Sequence, residues 1–448
     1  MGIQPEVRVL NDRSAIQMKI NKKLFFKIHS WIGIKLSILF FIVCFSGTLA
    51  TLSSEMDWLF NPAIRAKPQA TQVDKGTIIK NVQKAYPNSS SASWVAAKEP
   101  YLCDFVYIQD NGKRRTVFVN PYTGEVQGVS RMTIQRYFRD LHYYLFIPFQ
   151  VGHFIVLFFG FLLFISTITA LLFYKKWWRK LFSFQKVKGR VAFFRSLHRL
   201  VGIWSVPFTI LISVTGMWYF LERANIASIK DTANTSTPEI EAIDLDADSF
   251  SKIHYHLDYK KIISAAKDAI PNISVKSISP PGRRTRPIYV TGTSDVKLVR
   301  NRANRVYIHP ISYEVIGFQN AQDINTTTWL NDIADPLHFG YWGGLPTKIL
   351  WFLGGLGIST LVLTGIWSSL KRKIEDREQG LRNALGFWSF PNWIIFIAMF
   401  ILMYGSLIYR YDVSLGKLVA ITLGWLVVII SAWYVYGRGI KRTTRIDE

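Results

Sequence analysis

Cysteine is scarce in this chain: only Cys44 and Cys103 occur among 448 residues. One lies inside an apolar run and the other in a polar stretch, so no disulfide framework holds the fold together. Acidic residues are also outnumbered, with 30 Asp and Glu against 54 Lys and Arg, which leaves a formal charge of +24. A nucleic-acid partner would need a basic groove on a recognisable module, and none is visible, which argues against that class. No GxGxxG follows a strand, and the short basic loops have no room for a flavin or nicotinamide domain. Ahead of the first apolar run there is no compact hydrophobic region with a clean small-residue cleavage site. That run, preceded by Lys22, Lys23 and Lys27, is expected to stay as an anchor.

What the chain has in quantity is apolar surface: 49% of its residues are hydrophobic and 15% aromatic. Crossing roughly 30 Å of hydrocarbon takes about 20 helical residues at about 1.5 Å each. Six stretches qualify: Trp31 to Leu52, Val151 to Tyr174, Val201 to Leu221, Ile349 to Leu370, Trp393 to Tyr409 and Leu415 to Tyr436. Short cytoplasmic loops collect Lys and Arg. KKWWRK (Lys175 to Lys180), KRK (Lys371 to Lys373) and GRGIKRTTR after the sixth span therefore mark one side. Residues 1–30, 175–200, 371–392 and 437–448 are expected in the cytoplasm. Anionic lipid headgroups at that surface account for most of the charge.

The same topology puts two long loops, 53–150 and 222–348, on the outer side. The first has a helical period in IIKNVQKAYP and then alternates through FVYIQDNGKRRTVFVNPYTGEVQG, where Asn111-Gly112 signals a hairpin. The second repeats the plan with YKKIISAAKDAIPN and NRVYIHPISYEVIGF. Each is expected to be a small helix-plus-antiparallel-sheet unit.

The spans are duplicated as well. His29 aligns with His198 without a gap, as do Gly33 with Gly202 and Ser46-Gly47 with Thr215-Gly216. The second members align through Ile165-Ser166-Thr167 and Ile358-Ser359-Thr360. Just ahead of them stand RDLHYYLF and ADPLHFGYW, so that His142 answers His338 across a gap of a few residues. Pseudo-symmetry thus delivers two histidine pairs at two depths. A histidine near hydrocarbon is costly without a partner or a task, and neutral imidazole is a common ligand of haem iron. Two facing imidazoles fill both axial positions of a haem and leave no open site, which suits electron transfer rather than oxygen binding.

Several residues keep two readings. His153 follows His142 by eleven positions and has no counterpart in the second half. Either could reach the outer group, and the repeat favours His142, placed on a connector before a helix that Pro148 starts. Arg199, Arg195 and Lys27 either pair with haem propionates or only satisfy the positive-inside bias, whereas Arg139 runs against that bias. Phe25, Trp31, Tyr143, Trp204, Tyr341 and Trp342 either flank a porphyrin or form interfacial belts. Gly33, Gly47, Gly202, Gly216 and Gly340 either admit a macrocycle or let helices pack. His254 and His256 are expected at the surface, short of ligands for a metal.

LFFKIHSWIGIKLSILFFIVCFSGTL, FRSLHRLVGIWSVPFTILISVTG, DPLHFGYWGGLPTKILWFLGGLGISTLVLTGIW and VFVNPYTGEVQGV carry a family resemblance. Over most of residues 20–375 the chain resembles the PepSY-associated transmembrane proteins, which include inner-membrane ferric-siderophore reductases. The resemblance implies an α-helical integral membrane protein of the bacterial inner membrane, with six spans, an internal duplication and two small α+β (PepSY-like) periplasmic domains. It implies two haems b, with His29, His198, His142 and His338 at the family's histidine positions. The implied task is reducing Fe(III) in a siderophore, or another periplasmic acceptor, so that weakly held Fe(II) is released. A quinol or a separate reductase would be the donor. Arg283-Arg284-Thr285-Arg286 and Arg300, Arg302 and Arg305 would attract an anionic ferric siderophore, unless they are solvated loop charges. The chain departs from its own repeat at ITALLFY, which lacks the Thr-Gly of LTGIW. Two rival classes stand beside this one. One is a haem-free anchor that binds or regulates a periplasmic protein; the other is a transporter, for which these spans have few midplane polar residues.

Overall fold

The computed structural model describes residues 21–182, 189–377, 387 and 389–437. The expected cytoplasmic ends at residues 1–20 and 438–448 lie outside the described residues. Long apolar runs satisfy every backbone group internally by becoming helices, the form that hydrocarbon demands. Five helices are long and apolar enough to cross a membrane: Phe149–Phe173, Arg190–Arg223, Leu345–Ser369, Phe390–Arg410 and Leu415–Val435. They are the second to sixth spans in chain order. A bent pair ahead of them makes the first.

That first span is not the continuous helix expected over residues 31–52. It breaks at Leu36 into Lys22–Lys35 and Ser37–Thr51, which diverge by 76°. A break frees carbonyls that hydrocarbon cannot solvate. Asn392, from the fifth-span helix Ser389–Gly405, donates its Nδ2–H to the Lys35 carbonyl at 2.6 Å. The third span stays one helix of 34 residues despite Pro207. His198 therefore sits within it, ahead of the residues expected to begin the crossing.

A short lead-in helix precedes the second span (Ile134–Tyr144) and another precedes the fourth (Thr326–Phe339). Each starts on a side-chain cap. Thr133 Oγ1 accepts from the Arg136 N–H at 3.0 Å, and Asn325 Oδ1 from the Thr328 N–H at 2.9 Å. The second lead-in helix ends at Gly340 with φ +69°, where a Cβ would stand 2.4 Å from the Trp351 ring. Only glycine meets both demands.

At one end of the bundle the two long loops form eight strands: β1 (Ser90–Val95), β2 (Asp104–Asp110), β3 (Lys113–Val119), β4 (Val126–Ser130), β5 (Ser274–Ser279), β6 (Ile288–Thr293), β7 (Asn304–Ile308) and β8 (Val315–Gln319). Their order is β4-β3-β2-β1-β5-β6-β7-β8, two antiparallel meanders placed edge to edge. Asn111 and Gly112, both at positive φ, close the β2–β3 hairpin between Asp110 and Lys113. The halves meet where Trp94 faces Ile278 and Val95 faces Ser277. What the sequence suggests as two units is thus one sheet with one core, and two edges that would otherwise be open cover each other. Ile78 and Val82 from helix Lys75–Ala85, and Ile262 from helix Tyr259–Ala269, are fully buried against Trp94, Val106, Ile278 and Val290. Each such side chain contributes about 1.5–3 kcal/mol. His254 is 1% exposed in this core, contrary to its expected surface position, while His256 is exposed.

Sheet and bundle are joined by ion pairs. Lys348 Nζ reaches Glu55 at 2.8 Å and Glu99 at 3.1 Å. Within the bundle, Arg136 Nε donates to Asp140 of its own lead-in helix at 2.9 Å, and Asp140 also accepts from the Tyr411 hydroxyl in the turn after the fifth span. Met399, Met403 and Leu407 of that span are fully buried in one cluster with residues of the first span, the first lead-in helix and the second span.

Candidate functional site

The duplicated histidines come together in the pairs that the repeat suggests. Ring centres are 6.2 Å apart between His29 and His198, and also 6.2 Å apart between His142 and His338. The ring planes incline by 73° in the first pair and 34° in the second. Seventeen residues of the third span separate His198 from Thr215, which holds His338. At about 1.5 Å per residue that is about 25 Å along the helix, somewhat less than the roughly 30 Å thickness of a hydrocarbon layer.

The partner of each Nδ1 fixes the tautomer. His29 Nδ1 lies 2.9 Å from the Ser166 carbonyl and His142 Nδ1 lies 2.9 Å from the Val43 carbonyl. A carbonyl only accepts, so both nitrogens carry hydrogen. His198 Nδ1 lies 3.0 Å from Thr364 Oγ1, whose own proton goes to the Thr360 carbonyl at 2.7 Å. His338 Nδ1 lies 2.8 Å from Thr215 Oγ1, which donates to the Leu211 carbonyl at 2.8 Å. With their protons committed, both hydroxyls act as acceptors here. All four Nδ1 atoms therefore carry hydrogen, and because burial disfavours the charged ring, each neutral imidazole keeps its lone pair on Nε2. Histidines that ligate metals are oriented by such a bond from the other ring nitrogen.

The spacing has a chemical reading. Two imidazole nitrogens about 2.0 Å from one metal, each with its ring centre about 1.1 Å further out, put ring centres about 6 Å apart. Among the described residues no cluster of three or more His, Cys, Asp or Glu could hold a bare ion. A metal between these rings would need its remaining ligands from a macrocycle. Each pair would supply two imidazole donors, the number that a six-coordinate tetrapyrrole takes from a protein.

Local packing serves the rings. A Cβ on Gly47 would lie 2.7 Å from His142 Cε1, and one on Gly365 would lie 3.2 Å from His198 Cε1. Thr364-Gly365 thus serves His198 twice, as acceptor and as clearance. In the first half Leu171-Leu172 stands at that place, and Ser166 takes over the acceptor role. Asp57 fixes the helix that carries His142: its carboxylate accepts from the Ile134 and Gln135 N–H groups at 2.7 and 2.8 Å. Burial holds the Asp57 carboxyl above its usual range, with those two bonds offsetting only part of the rise.

The other candidates fall elsewhere. His153 is buried and belongs to neither pair; its ring centre lies 4.1 Å from that of Tyr143, tilted, and 5.0 Å from that of Phe149, stacked. Arg199 is half-buried beside Ser196 Oγ at 3.5 Å, and Arg195, Lys27 and Arg139 are exposed. Trp31, Trp204 and Trp342 are exposed too, as interfacial aromatics are. A Cβ on Gly216 would lie 3.5 Å from Gly160 Cα of the second span. Arg300, Arg302 and Arg305 are not the open basic patch expected. Arg300 and Arg302 each donate to Asp332 at 2.8 Å, and Arg305 is buried with Gln319. Arg283 and Arg284 remain exposed. Cys103 is buried, and burial pushes its thiol up to about 12, which disfavours the reactive thiolate.

These elements define a helical membrane protein whose two repeat halves face each other across two histidine pairs. The chain belongs to the family described as the PepSY-associated TM region, which matches residues 26–372. No curated protein matches it. The match ends before the fifth and sixth spans.

Proposed function

We propose that this protein is a di-haem electron-transfer protein of the bacterial inner membrane, with one haem b between His29 and His198 and another between His142 and His338. A haem with two imidazole ligands has no open position and passes single electrons. The single observation that carries the reading is the pairing: at each of two levels two histidine rings lie 6.2 Å apart, and every Nδ1 is engaged by a neighbour, which leaves Nε2 as the ligating atom. The chain's own part is to hold those rings. Ser166 and Thr364 orient the inner pair, Val43 and Thr215 the outer.

The basic segment at residues 175–180 and the sheet lie at opposite ends of the spans. Under the positive-inside rule the sheet faces the periplasm, and electrons leave at the His142–His338 end. There Lys98 Nζ lies 6.0 Å from the ring of Tyr341, and exposed Arg139 precedes Tyr143 by four residues. These cations suit an anionic acceptor, and a ferric siderophore is the acceptor class that the family suggests. A quinol or a separate reductase supplies the electrons. The optical spectrum of purified protein tests the reading: a Soret band that sharpens with dithionite is expected. Protein without that band, and unable to gain it from added haem, would leave a haem-free anchor instead.

A further inference from the structure

The fourth-span helix carries Thr364, Ser368 and Lys371 at i, i+4 and i+7, hence on one face. Thr364 accepts from His198. Below it Ser368 Oγ and Lys371 Nζ are buried, with no hydrogen-bond partner among the described residues. Lys371 is 2% exposed. The second span mirrors this arrangement. Ser166 accepts from His29, and eight residues further on the Tyr174 hydroxyl is likewise buried and unpartnered.

An ammonium buried without an anion is among the costliest arrangements a protein can hold. Lysines near the end of a span ordinarily extend their ammonium to the interface, and this one does not. Three buried groups that can donate a hydrogen bond therefore lie on the basic side of the inner pair. Seven residues separate Lys371 from Thr364, about 10 Å along the helix at about 1.5 Å per residue. That offset matches the reach of a tetrapyrrole from its metal to its carboxylate arms. We propose that Lys371, assisted by Ser368 and Tyr174, receives the propionates of the haem held by His29 and His198. This rests on the haem reading above and adds residues that positive-inside bias alone would not single out, since Arg195 and Lys27 are exposed to solvent.

The test uses full-length protein carrying His338→Ala, so that only the inner haem remains. Lys371→Met removes a positive charge from the propionate end of the inner haem. It is expected to lower the midpoint potential and to speed haem loss to apomyoglobin about tenfold or more, with Lys371→Arg restoring most of both. Tyr174→Phe, which removes a single oxygen and keeps the fold, is expected to speed haem loss to a smaller degree. In the His198→Ala background the outer haem should be indifferent to all three changes. An inner haem whose potential and loss rate are unmoved by both Lys371→Met and Tyr174→Phe overturns the proposal while two haems in the parent protein still uphold the wider reading. A parent protein without haem removes both together.

Discussion

Thr364→Val tests the orientation of His198 with almost no change of shape. The threonine hydroxyl accepts from His198 Nδ1 at 3.0 Å and donates to the Thr360 carbonyl at 2.7 Å. That carbonyl already belongs to a helix, so the histidine bears the loss. A neutral hydrogen bond is worth about 0.5–1.5 kcal/mol net, and a buried N–H left without an acceptor costs about 1–3 kcal/mol. A penalty of about 3 kcal/mol corresponds to about a hundredfold. Substitutions behind a ligating histidine commonly cost about 10- to 100-fold in affinity, which agrees. In the His338→Ala background, haem transfer from Thr364→Val to apomyoglobin should quicken by that factor, and Thr364→Ser should behave like the parent. The midpoint potential should also rise, because an imidazole without its Nδ1–H bond is a poorer donor to oxidised iron. A Thr364→Val protein with unchanged haem affinity and potential would refute the tautomer argument.

Gly47→Ala places a Cβ 2.7 Å from His142 Cε1, inside contact distance, so the ring must move. Loss of the outer haem with the inner one intact is expected by pyridine haemochrome assay; two haems retained would show that the ring is not confined. Inside the sheet core, burial holds His254 neutral and brings it down to about 4, with His256 adding to the effect. The folded chain thus binds this proton less readily than the unfolded chain, whose histidine titrates near 6.5. The stability of the sheet is complete above about pH 6.5 and falls as pH drops toward about 4, by up to about 3 kcal/mol. Amide exchange in β5 to β7, corrected for intrinsic rates, should show reduced protection at pH 5 relative to pH 7. His254→Leu should flatten that difference, and an identical loss in both proteins would refute the assignment.

The sequence makes some features legible and hides others for physical reasons. Histidines at repeat-equivalent positions show in a single chain because duplication preserves spacing, and the fold pairs them as the repeat suggests. The acceptors behind the rings do not show, because Ser166 and Thr364 read as ordinary polar residues in apolar helices until the partner helix is placed. Thr215 stands out in the repeat alignment, yet nothing local reveals that it faces His338. The break at Leu36 carries no proline or glycine; it is held from 357 residues away by Asn392. The shared sheet is also hidden, since β1 (SSASWV) and β5 (SVKSIS) are short, polar strands whose pairing is decided by distant contacts. Arg300 and Arg302 read as a free basic patch because their partner Asp332 lies 30 or more residues further on.

The account is tested most directly by counting haem in purified parent protein and in His198→Ala and His338→Ala by pyridine haemochrome. Two haems per chain in the parent and one in each variant, lost from opposite ends, is the expected result. No haem in the parent, or two in both variants, would contradict ligation by these four histidines.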